Sequence, residues 1–100
     1  MERGSYLLIQ KGMPISGPEG SLGSVHEVIA DISSDVFRGI VIATGLLARH
    51  LHFIAADEVV SVTETGVEVN LKKSNIDQMP QYDPSDPAHA GKVHSNELRN

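Results

Sequence analysis

The chain has 100 residues, a net charge of −5, 40% apolar and 4% aromatic residues, and no cysteine. That length holds one domain, and the missing thiols exclude disulfide staples and thiolate metal sites. The acidic balance argues against a general nucleic-acid binder, whose footprint is basic, and no apolar run nears the roughly 20 residues that span a bilayer.

Nothing resembles a signal peptide, since the apolar run Tyr6 to Ile9 is far too short for one; a soluble, cytoplasmic chain is expected. Residues 1–11 form an N-terminal segment in which Tyr6 to Ile9 is a first strand or leads into one. Gly12 to Ser16 reads as a strand that lies at an edge or begins at Pro14, because proline cannot donate to a ladder. Gly17-Pro18-Glu19-Gly20 then has the chemistry of a tight turn.

Beyond Gly23, Val28, Ala30 and Ile32 alternate with Glu27 and Asp31, the pattern of a strand with one wet face. Ser33-Ser34-Asp35 supplies a turn. Val36 to Thr44 is rich in β-branched residues and apolar on both sides at Ile40-Val41-Ile42, which suits a strand covered on both faces. Gly45 breaks it.

Leu46 to Leu51 has helical propensity, whereas spacing to Ala55 favours a strand with Leu47, Leu51 and Phe53 on one parity and His50 and His52 on the other. Ala55 to Glu58 reads as one helical turn whose acids meet free amides. Val59 to Thr63 and Val67 to Leu71 flank a connection of hairpin length that carries Gly66. Ser74 to Met79 is predicted as a short helix capped by Ser74 and stopped by Pro80. Residues 80–100 are polar and proline-bearing, and are expected to form a flexible tail.

The segments GMPI, GPEG, LGSV, RGIVI, HFIAADEVVSV and VEVNL together resemble the PRC-barrel family. The resemblance covers residues 12–79, roughly two thirds of the chain. One departure is Ala55, where the family often has proline. The resemblance implies a small all-β, six-stranded antiparallel barrel with a short C-terminal helix. It also implies an adaptor or docking role, either direct or as an accessory factor in ribosome or RNA processing through a ribosomal protein. It brings no catalytic residues or cofactor to carry over.

The residues themselves offer few sites. His50 and His52, two apart on a strand, would point the same way with bases about 6.6 Å apart. A third ligand such as His26 or Glu27 would make a metal or small-ligand site; the competing reading is a wet face with two half-exposed histidines. Asp57 and Glu58 are adjacent and cannot share a strand face, and Glu27 and Asp31 would lie about 13 Å apart, too far for paired-carboxylate chemistry. No nucleophile elbow or phosphate-binding loop occurs, so an enzyme is not expected. Lys72, Lys73, Arg38 and Arg49 are scattered, so no direct nucleic-acid contact is expected.

The aliphatic surplus at Ile40, Ile42, Leu46 and Leu47 is either covered internally or forms an interaction surface, most simply in a two-fold homodimer. Ile42→Asp separates the two: a soluble monomer marks an interface, and unfolding marks core.

Overall fold

In the computed structural model, which describes residues 5–85, most of the chain is β-sheet. The strands are β1 (Pro14–Gly17), β2 (Gly20–Asp31), β3 (Val36–Thr44), β4 (His50–Ala55), β5 (Val59–Thr63) and β6 (Gly66–Val69). The one α-helix, α1, is Lys73–Asp77. Three short 3-10 turns, Ser5–Leu8, Leu46–Ala48 and Ala56–Glu58, complete the order.

All six strands belong to one sheet, in the order β4-β3-β2-β1-β6-β5. The β1–β2, β2–β3, β3–β4 and β5–β6 pairs are antiparallel, but β1 and β6 run parallel, with Ile15 opposite Val67. Two features thus correct the expected antiparallel barrel: the sheet is mixed, and its outermost strands, β4 and β5, do not pair. Those two edges nevertheless converge, because only the turn Ala56–Glu58 separates the end of β4 from the start of β5. Three residues reach about 10 Å at full extension, so the sheet must curl.

The curl encloses a single core. Ile15, Val25, Val28, Ile40, Ile42, Ile54, Val59, Val67 and Val69 face inward, so every strand contributes, and Ile76 of α1 closes the cluster. Bulges shape this inner face. The extra residues His26 on β2, Arg38 on β3 and Val60 on β5 each break strict alternation. Val25 and Val28, Phe37 and Ile40, and Val59 and Val62 therefore point inward at a spacing of three rather than two. A bulge also increases local twist, which bends the sheet around the core.

Tyr6 to Ile9 forms a 3-10 turn rather than a strand. A period of three puts Tyr6 and Ile9 on one side, where both are buried while Leu7 and Leu8 face out. Tyr6 stacks on Phe37 with ring centroids 5.2 Å apart, and its hydroxyl donates to Asp35 at 2.7 Å. Phe37 lies past the last β3–β4 pair, Gly39 with Ala55, so the turn covers a stretch of β3 that β4 leaves open.

The C-terminal helix begins one residue before the predicted cap. Lys72 occupies the cap position, and its backbone N–H donates to the side-chain oxygen of Asn75 at 2.8 Å. An oxygen acceptor three residues on satisfies an amide the helix cannot. Of the expected tail 80–100, the described part begins beside the sheet: Gln81 bridges to His52, and the Tyr82 N–H donates to the Leu51 carbonyl at 2.9 Å. Residues 86–100 lie outside the described residues.

Candidate functional site

Cross-strand register sets the two faces of the sheet. Glu27, Val41 and Phe53 form one row across β2, β3 and β4, while Val25, Ile42 and His52 form the next. Adjacent rows point to opposite faces. His52 therefore faces the core side with Val25 and Ile42, and Glu27 faces outward with Phe53.

This geometry does not bring the proposed metal ligands together. Glu27 is on the other face from His52, and His26 is an exposed bulge on β2, with β3 between it and β4. Among the described residues, no group of three or more His, Asp or Glu side chains could hold a metal ion. The two histidines also differ: His50 is exposed at the start of β4, whereas His52 is only 7% exposed.

His52 has a structural partner. Its Nδ1 lies 3.1 Å from the Met79 carbonyl oxygen and 3.3 Å from that of Pro80. Carbonyls only accept, so Nδ1 must carry the proton and donate to both. A buried polar ring is thereby satisfied, and the segment after α1 is pinned along the edge of β4.

Two tyrosines show a marked shift in acidity. Burial first, then the Asp35 hydrogen bond and the charges of Asp35 and Asp31, push Tyr6 up to about 12. Burial, followed by the carboxylates of Glu27 and Asp83, raises Tyr82. The segment after α1 thus reaches from the β4 edge toward the face that carries Glu27. The carboxylates around both tyrosines favour the neutral phenol.

The four aliphatic candidates divide. Ile40 and Ile42 are 0% exposed and belong to the core, so of the two alternatives for them it is internal cover that holds and not an interaction surface. Leu46 and Leu47 are 86% and 74% exposed in the β3–β4 loop. This loop starts at Gly45, whose φ of 82° favours glycine, and the Ala48 N–H donates back to the Gly45 carbonyl at 2.9 Å. Leu47 and Ala48 follow with φ of 63° and 52°. Left-handed backbone costs a residue with a Cβ about 1–2 kcal/mol. The loop therefore exposes two leucines, with the strain at Leu47 and Ala48.

A cleft on the outer face of the other half of the sheet has no counterpart in any local sequence pattern. It has a volume of about 260 Å³ and is lined by Ser16, Ser61, Thr63, Thr65 and Glu68, with Pro14 at its rim. Within it the Ser61 hydroxyl donates to Glu68 Oε1 at 3.2 Å.

No protein-family model matches this chain, and no curated protein matches it significantly. No helix among the described residues is long and apolar enough to cross a membrane.

Proposed function

We propose that the protein is a non-enzymatic interaction module of the PRC-barrel type that engages a protein partner, or a second copy of itself, through the β3–β4 loop. The observation that carries this reading is the pair Leu46 and Leu47, 86% and 74% exposed, in a loop whose backbone is left-handed at Leu47 and Ala48. Scattered single apolar residues on a surface need no explanation. Two adjacent exposed leucines, the second followed by Ala48 on left-handed backbone, do, because backbone strain clusters at functional sites. The curled six-stranded sheet around one core supports the family resemblance, while the parallel β1–β6 pair and the unpaired edges depart from it.

The test is the double variant Leu46→Ser/Leu47→Ser. It should keep the melting temperature while losing capture of the partner from native lysate, or losing self-association in sedimentation. Capture that persists unchanged would remove the loop from the function. Capture of ribosomal proteins that disappears on nuclease treatment would point instead to an accessory role in RNA processing.

A further inference from the structure

The edge of β4 already carries a short occupant. Gln81 bridges antiparallel to His52, the Tyr82 N–H donates to the Leu51 carbonyl at 2.9 Å, and the carbonyls of Met79 and Pro80 accept from the His52 ring. An extended chain therefore fits along β4 at Leu51 and His52. Proline bounds this occupant on both sides, and neither Pro80 nor Pro84 has an N–H to offer a ladder. Pro80, Gln81 and Asp83 are exposed and Tyr82 is half-buried. A segment held by so little buried apolar surface opens at low cost.

The face beside it is apolar. Ser24, Ala43 and Leu51 form one outer row, next to the row of Glu27, Val41 and Phe53. Val41, and Ile29 on the same face, are fully buried yet stand outside the inner core cluster. Tyr82, opposite Leu51, falls on this outer face. The Glu27 carboxylate raises its phenol, which places the ring toward the Val41 row.

We propose that the β4 edge is a docking site for an extended, proline-free segment of a partner protein with tyrosine at the position of Tyr82, and that residues 80–83 are a strap which this segment displaces. Main-chain pairing to β4 supplies the alignment, and the outer face reads the ring. Opening the strap uncovers the Val41 and Phe53 row, and a side chain of similar apolar area covers it again. A phenol, apolar in body and polar at its tip, suits a site beside a carboxylate; an acidic side chain there would meet Glu27 and be excluded. A partner without proline also continues the ladder where Pro84 ends it. The site is separate from the Leu46–Leu47 loop, and failure of either leaves the other standing.

The experiment uses the full chain, ¹⁵N-labelled, titrated with a capped heptapeptide of threonine and valine with tyrosine at its centre. Amide shifts are expected at Leu51 to Phe53, with faster hydrogen exchange at the Tyr82 amide as the strap leaves. Tyr82→Ala should keep the fold and tighten peptide binding about tenfold, because the open strap becomes more populated. Gln81→Gly loosens the strap without removing the ring and should act in the same direction. A peptide with glutamate in place of tyrosine should not bind, and N-methylation of the pairing amides should abolish binding. No binding, shifts confined to other residues, an affinity that neither variant raises, or equal response to the glutamate peptide would overturn the proposal. So would concentration-dependent shifts at Leu51 to Phe53 without peptide, because the edge would then belong to a second copy.

Discussion

The ring of His52 and the backbone of Met79 are joined by a 3.1 Å hydrogen bond that ties the end of the helical segment to strand β4. The pair explains a buried histidine without any chemistry. Replacing His52 by leucine would leave the carbonyls of Met79 and Pro80 without a protein donor. Met79 is half-buried and Pro80 exposed, so water can replace the donor and the loss is that of one net hydrogen bond, about 0.5–1.5 kcal/mol, measurable by urea denaturation. Hydrogen exchange gives the sharper check. The Tyr82 amide, bonded to Leu51, should lose protection in the variant while amides of β3 keep theirs.

Tyr6 gives a pH dependence with a definite sign. Its folded-state pKa, near 12, lies above the roughly 10 expected in an unfolded chain. The unfolded state therefore releases this proton first. The contribution to stability is complete below pH ~10 and is lost as the pH rises toward 12. Tyr6→Phe should remove this alkaline step from a plot of melting temperature against pH, at the cost of the Asp35 hydrogen bond. An unchanged step in the variant would assign it to another group.

Gly39 has φ of 156°, and a Cβ there would meet the Ile54 carbonyl and come within 2.8 Å of the Phe53 ring. The missing side chain is what lets Phe53 lie close to β3 on the outer face. Gly39→Ala should destabilise by at least the 1–3 kcal/mol typical of overpacking, with displacement of the β3–β4 ladder visible in the amide spectrum. An alanine variant of wild-type stability would show that the ladder yields easily.

The two kinds of aliphatic residue should respond oppositely to substitution. Ile42→Asp buries a charge with no partner and should leave the chain unfolded by circular dichroism. Leu47→Gly relieves left-handed strain at an exposed site. Its melting temperature should stay level or rise, the gain being limited by the greater freedom of glycine in the unfolded chain.

Much of the sheet was legible where the chain itself carries the signal. Val36 to Thr44 declared a strand through its β-branched residues, Ser33 to Asp35 a turn, and Gly66 the β5–β6 hairpin. The bulges were not legible, because His26, Arg38 and Val60 are ordinary residues and each adds one position without local turn chemistry. The parallel β1–β6 pair joins Ile15 to Val67, a match that no local pattern encodes. Ser74 looked like a cap, but the side chain of Asn75 reached the Lys72 amide. For β4 the parity of the histidines was readable but not the direction each parity faces. Leu51 and Phe53 are more apolar, yet they point outward because Gly39 makes room for Phe53 while two carbonyls accept from His52. The outer cleft draws on three strands, so only the register could assemble it.

The pairing of Ile15 with Val67 also bears on the order in which the molecule assembles. β2, β3 and β4 follow one another as antiparallel neighbours and close through short loops, so they can form early. The β1–β6 contact must close the long loop from Ile15 to Val67, about two thirds of the described chain, before it gains anything, and that entropy is spent ahead of the reward. Substitutions at the β1–β6 seam should therefore appear mainly as faster unfolding, and those in the β2–β3–β4 meander mainly as slower folding.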